Sequence, residues 1–168
     1  PEYTASWGKA GLPLVANLND DSKNTANIDF VRTYKITTST FDDGLLKNGS
    51  FESDGINNWL WKGDVKLDNN TLNLNNGVQY LELENEGSVI QKVTVQKNTN
   101  YKLSYNYKTN SGSATIEIAG IQSKSNTSST WLDSGFEFNS GNTDTVYVKL
   151  SANKNSNINI DAVSLKKK

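Results

Sequence analysis

The sequence predicts an all-β fold, an antiparallel β-sandwich of jelly-roll type. Three observations carry the prediction: apolar and polar residues alternate with period 2 in segment after segment, turn-forming clusters separate those segments, and helical periodicity is hard to find. The clearest alternation is Tyr101-Lys-Leu-Ser-Tyr-Asn-Tyr-Lys108, which puts Tyr101, Leu103, Tyr105 and Tyr107 on one face and Lys102, Ser104, Asn106 and Lys108 on the other. One face is core and the other is wet. Similar segments run over 28–36, 78–83, 89–95, 114–118, 135–138, 145–150 and 158–165. The breaks between them include Asp42-Asp43-Gly44, Asn75-Asn76-Gly77, Asn110-Ser111-Gly112 and Ser140-Gly141-Asn142, residue types that close turns through side-chain hydrogen bonds or positive φ. Short strands at this spacing with no helices between them stack as two antiparallel sheets.

Composition narrows the chemistry. The 168 residues contain no His and no Cys, so no Ser-His-Asp or Cys-His nucleophile, no His- or Cys-ligated zinc, no haem site and no iron–sulfur site can be built. Lys plus Arg number 17 against 18 Asp plus Glu, and the one basic block is Lys166-Lys167-Lys168. That balance argues against nucleic acid or an anionic membrane as a partner. No run approaches the roughly 18 apolar residues of a membrane helix. The chain holds 24 Asn, 18 Ser and 15 Thr, yet its 16 aromatic residues are spread through alternating segments, which a disordered chain would lack. A chain of this length buries about 70% of its unfolded surface, so a core without staples is expected.

The stretch Thr37-Thr38-Ser39-Thr40 has no apolar periodicity. It suggests an N-terminal segment, residues 1–38, a linker at 39–44 and a main domain at 45–168. Thirty-eight residues cannot hold a core alone. The segment therefore packs on the main domain, is the tail of a preceding domain, or both, and a start at Pro1 rather than Met suggests excision from something longer.

Six landmarks occur in order: Leu45-Leu-Lys-Asn-Gly-Ser-Phe-Glu-Ser53 with Trp59 shortly after, Gly77 to Leu83, Gln91 before a Val-rich strand, Tyr101 to Lys108, Thr130-Trp131 seven residues before Phe138, and Ile158-Asn-Ile-Asp-Ala-Val-Ser-Leu165. In these the sequence resembles the carbohydrate-binding modules of families 4, 9, 16 and 22 over roughly residues 45–165. Gly11 to Leu18 followed by Asn27 to Lys35 is similar to the closing strands of a family 16 glycoside hydrolase, although that family's catalytic E-x-D-x-x-E strand is absent; Glu82, Glu84 and Glu86 have the wrong spacing.

The resemblance implies a structural Ca²⁺ held by Glu52 and Asp161 with backbone carbonyls of Ser50 and of the Asn75-Asn76 turn, Asn76 in particular. Oxygen donors without nitrogen or sulfur suit that ion. It also implies a sugar site on the concave sheet or its rim. Sugars need flat apolar rings for their C–H faces and amides or carboxylates for their hydroxyls. With Leu81 and Leu83 facing the core, Tyr80 and Glu82 turn outward, as do Ser104 and Asn106; Asn106 stands where the family often has an aromatic. Trp59 reads as core. Trp61 points the same way if its segment is extended, and is free for stacking if the segment is a loop. Trp131, after the polar run 123–130, reads mainly as packing at the domain edge. The candidate sugar contacts are thus Trp61, Tyr80, Glu82, Ser104, Asn106 and Trp131, with Gln91 a buried, hydrogen-bonded amide.

The expectation is a monomeric, non-catalytic module of a secreted bacterial protein that binds poly- or oligosaccharide and carries a covalently linked glycoside hydrolase to it. The rivals are a structural or adhesive sandwich at a cell surface and a sandwich-fold lyase or hydrolase, which would need paired carboxylates across a cleft.

Overall fold

The computed structural model describes residues 41–53, 55–70, 74, 75 and 77–168. The chain divides between Lys35 and Ile36. The segment 1–38, the predicted strand over 28–36, the likeness to a hydrolase tail and the proposed ligand Asn76 all lie outside the described residues.

Eight strands follow in order: β1 (Leu60–Asp68), β2 (Tyr80–Thr94), β3 (Asn100–Ser111), β4 (Ala114–Ile118), β5 (Gln122–Asn126), β6 (Leu132–Asn139), β7 (Thr145–Ala152) and β8 (Asn157–Lys167). The hydrogen-bonded order is β5-β4-β7-β2-β8-β3-β6, with β1 added on β2. Every pairing between these strands is antiparallel. The fold is the predicted all-β sandwich.

One strand belongs to both layers. Leu81 to Glu84 of β2 pair with β8, while Ser88 to Thr94 pair with β7. Where alternation predicts two strands, over 78–83 and 89–95, the structure has a single bent one. The bend lies at Asn85 and Glu86, with φ of 42° and 70°, followed by Gly87. A Cβ on Gly87 would sit 2.2 Å from the Asp64 carbonyl oxygen, so only glycine lets β1 approach there. The facing strand is irregular at the same level, with a register shift between Lys62 and Asp64.

The core is the space between the layers. Leu81, Leu83, Leu103, Tyr105, Ile158 and Ile160 enter it from one side, and Val89, Val93, Ile116, Val146, Val148 and Leu150 from the other. Each such aliphatic side chain contributes about 1.5–3 kcal/mol on leaving water. Trp59 is core as expected: it is 2% exposed, it packs on Phe51 at 5.9 Å, and its Nε1 donates to the Asn48 carbonyl at 3.2 Å. Gln91 is the expected buried amide, accepting from Lys47 N at 2.8 Å and donating to the carbonyls of Lys47 at 2.9 Å and Asn58 at 3.1 Å.

Asp43 and Gly44, expected in the linker, already belong to the sandwich. Gly44 forms a parallel bridge with Leu165, and the Asp43 carbonyl accepts from Leu165 N at 3.2 Å. The Asp43 carboxylate holds Ser50 N at 2.9 Å, and burial pushes its pKa upward against that bond. The opening segment is thereby laid along the closing strand.

Candidate functional site

Antiparallel partners face the same side of a sheet, so the register that sends Leu81, Leu83, Ile158 and Ile160 inward also assembles the opposite, open face. Three rows of side chains cross it. Asp68 stands opposite Tyr80, and Asn106 opposite both Asp161 and Asp133. In the next row Lys66 faces Glu82, Glu82 faces Asn159, and Asn159 faces Lys108. Beyond it Asp64 faces Glu84, and Glu84 faces Asn157.

Tyr80 and Glu82 do turn away from the core, but neither is exposed. Tyr80 is 0% and Glu82 6% accessible. The Tyr80 ring is met edge-on by Trp131, with centroids 5.9 Å apart and planes at 78°, and its hydroxyl donates to Asp68 Oδ2 at 2.9 Å. Alternation reports which face a residue takes, not what a neighbouring loop lays over it. The aromatic surface of this row is therefore Trp131, which stays partly exposed while packing as expected. Tyr80 supports it from beneath.

The second row is polar and tightly bonded. Lys66 Nζ lies 2.8 Å from Glu82 Oε1 and 3.8 Å from Glu84 Oε1. Asn157 Nδ2 donates to Glu82 Oε1 at 3.3 Å, and Asn110 Nδ2 donates to the side-chain oxygens of Asn157 at 2.6 Å and Asn159 at 3.3 Å. The hydrogen bond to Glu82 holds the Lys66 ammonium above the usual lysine range. Glu84 is pushed up by its contact with the Glu82 carboxyl, then by desolvation, with Lys66 pulling the other way. At Asp68 burial works against the charge, but the bonds from Tyr80 and from Asn70 N, with Lys66 close by, outweigh it and hold the carboxyl below its usual range.

Ser104 and Asn106 line an open groove of 660 Å³ with Lys102, Asp133, Ser164 and Lys166. This groove continues the first row across β3 and β6, so Ser104, Asn106, Tyr80, Glu82 and Trp131 share one face. Trp61 does not. It lies in strand β1 and is extended, yet it is 62% exposed where Trp59 is 2%, because Trp59 sits in the preceding turn and Trp61 projects at the end of an edge strand. It pairs with Val89, seven residues along β1 from Asp68. At about 3.3 Å per residue that is roughly 20 Å from Tyr80.

Asp68, Lys66, Asn110, Asn157 and Asn159 join this face without having been predicted from the sequence. For the two on β8 a signal was present: Ile158 and Ile160 inward put Asn157 and Asn159 outward. For Lys66 and Asp68 none was usable, since β1 reads Leu-Trp-Lys-Gly-Asp-Val-Lys-Leu-Asp with Gly63 breaking its alternation.

Of the proposed metal donors, Glu52 closes on the backbone just before β2. Both its carboxylate oxygens accept from Val78 N at 3.0 Å, and Oε1 accepts from Gln79 N at 3.2 Å. Gly77 makes room for it, since a Cβ there would fall 2.1 Å from Glu52 Oε1. Leu81 pairs with Ile160, so Tyr80 adjoins Asp161 in the register, one residue beyond Gln79. The two acids approach the same end of β2. Asp161 is 1% exposed, and its Oδ1 accepts from Ala162 N at 2.7 Å. Among the described residues no three or more carboxylates are placed to hold one metal ion, so a cation here would draw on backbone carbonyls as well. The donors present are hard oxygens, which fit calcium.

A β-sandwich whose open face joins a partly exposed indole to rows of amides and carboxylates is the architecture of a sugar-binding domain. The chain matches the carbohydrate binding domain model of families 4 and 9 over residues 43–160, and it belongs to that family. Among solved structures, a family 61 module in complex with β-1,4-galactotriose is 19% identical, with a TM-score of 0.55 over 74% of this chain and 99% of the module. The second family 16 carbohydrate-binding module of another protein is 20% identical, with a TM-score of 0.58 over 73% of this chain and 99% of the module. The CBM22-1 xylan-binding domain of Paenibacillus barcinonensis Xyn10C is 19% identical, with a TM-score of 0.54 over 70% of this chain and 90% of the domain. At these identities the likeness concerns the fold. No curated protein sequence matches the chain.

Proposed function

We propose that the open face of β1, β2, β8, β3 and β6 holds a glycan chain and that the module serves to keep a linked glycoside hydrolase, in a secreted bacterial protein, close to its polysaccharide. The observation that carries the proposal is the pairing of Trp131 on Tyr80 beside the hydrogen-bonding row Lys66, Glu82, Asn159. The indole offers an apolar plane to the C–H face of a pyranose, and the row beside it meets hydroxyls. Neighbours of the same fold include a module described in complex with β-1,4-galactotriose and a xylan-binding domain. Tethering raises the local concentration of a catalytic partner without new contacts. Isolated sugar contacts are weak, so micromolar to millimolar affinity is expected, about -4 to -8 kcal/mol.

Within this proposal Glu52, Asp161 and the carbonyls of Ser50 and Asn76 hold a structural Ca²⁺ that ties the opening segment to the start of β2. The support is the Glu52 clamp on Val78 and Gln79. A glycan array probed with the chain tests the binding role, with a turnover assay on the same glycans: bound glycan without hydrolysis is the expected result. Retention of no glycan favours a purely structural domain, and product release favours an enzyme. The calcium reading predicts a lower melting temperature after EDTA; identical thermal scans would end it.

A further inference from the structure

Among the described residues, the open face contains one buried side-chain donor with no partner. Asn159 is 0% exposed, its Oδ1 accepts from Asn110, and its Nδ2 donates to nothing. A buried amide left in this state costs stability that an apolar residue would not, so its presence calls for a function. Its place is central: Asn159 lies between Glu82 on β2 and Lys108 on β3, one row from the Tyr80–Trp131 pair. The side chains bonded around it end in solvent. Asn110, which donates to its Oδ1, is exposed, and Lys66, which caps the neighbouring Glu82, is 57% exposed. Because Asn159 is 0% exposed, a ligand reaches its amide only when one of these bonded arms moves aside.

The charges around that donor are unequal. Asp64, Asp68, Glu82, Glu84, Asp133 and Asp161 belong to the three rows, against Lys66 and Lys108, with Lys102 and Lys166 farther along the groove on the same face. Lys66 is already committed to Glu82 and Glu84. Resting on the glycan-binding role above, we propose that Asn159 is the residue that reads the ligand, giving its Nδ2 hydrogen to an oxygen of an uncharged sugar, and that Glu82 beside it accepts a sugar hydroxyl and turns uronic acids away. A hydroxyl satisfies both groups at once, donating to Glu82 and accepting from Asn159. A uronate carboxylate at the same place accepts from Asn159 but has no proton for Glu82 and meets like charge in a partly desolvated setting.

The test measures binding by calorimetry to matched neutral and acidic oligosaccharides: β-1,4-mannohexaose against β-1,4-hexamannuronate, and cellohexaose against its C6-oxidised counterpart. The wild-type chain is expected to bind at least one neutral member and to bind its acidic partner at least tenfold more weakly. Asn159→Ala is expected to lose tenfold or more for the neutral ligand with its melting temperature unchanged or raised. Glu82→Gln, which keeps the acceptor oxygen, is expected to narrow the neutral-to-acidic ratio at low salt; circular dichroism on both variants separates misfolding from lost binding. Equal affinity for neutral and acidic partners, or an undiminished Asn159→Ala variant, overturns this inference and leaves the glycan-binding role standing. If no member of this panel and nothing on a broader array binds the wild-type chain, both fall.

Discussion

Side chains at the centre of the two faces of β2 and β8 are buried to the same degree and are held by different physics. On the inner face Leu81, Leu83, Leu103, Ile158 and Ile160 are 0% exposed, and on the outer face Tyr80 and Asn159 are 0% and Asp161 1% exposed. Burial alone does not distinguish them. The inner side chains gain from leaving water, and their contacts are interchangeable in kind. The outer ones must recover each lost water contact bond by bond: Tyr80 through Asp68, Glu82 through Lys66 and Asn157. That recovery is incomplete at Asn159 Nδ2, the donor proposed above for a sugar oxygen.

The sharpest way to break this comparison is to make one aliphatic change on each face. Leu83→Ala, with a core side chain at 0% exposure, should destabilise the domain by about 2–5 kcal/mol in denaturant titration. Asn159→Leu, at the same depth on the other face, should stabilise it by about 1 kcal/mol while abolishing glycan binding, since it removes an unpaired donor. A loss at Asn159 as large as at Leu83 would mean that the two faces are the same kind of core.

Trp131→Ala comes next. It should lower glycan affinity by about tenfold in affinity gels and stability by about 1 kcal/mol, the worth of an edge-to-face aromatic pair. Tyr80→Ala, by contrast, should cost more stability than Trp131→Ala because its ring is wholly buried. Trp61→Ala should leave affinity at the open face within twofold, given its distance from Tyr80 along β1.

The smallest effect concerns pH. The Asp68 carboxyl lies below its usual range in the folded chain, so its contribution is present above the unfolded value and is lost as pH falls through the folded one. Asp68→Asn should flatten the acid limb of a plot of melting temperature against pH. Asp43 is shifted the other way by burial, so its ionisation opposes folding as pH rises through the raised value. Asp43→Asn should therefore be tolerated at neutral pH, and any gain from it should vanish in acid.

Much of this was legible in the chain itself. Alternation in Tyr101 to Lys108 assigned the core face of β3 correctly, and the strand continues to both sides as Asn100–Ser111. The same rule gave the correct face for Tyr80, Glu82, Ser104 and Asn106. Strands β1 and β5 were not legible. Gln122-Ser-Lys-Ser-Asn126 has no apolar member, and β1 is exposed along most of its length, because edge strands are held by backbone bonds to a neighbour rather than by a buried stripe.

The sequence by itself determined the class of fold, the inward set of side chains and the chemistry excluded by the lack of His and Cys, because each depends on local periodicity or composition. The tertiary structure alone decided that Trp131 lies over Tyr80, that β2 bends at Asn85 and Glu86 to serve two layers, and that Asn159 is left with a spare donor. Those outcomes arise from register and loop placement between residues far apart in the chain, and no local pattern encodes which neighbour arrives to cover a face or fails to complete a hydrogen bond.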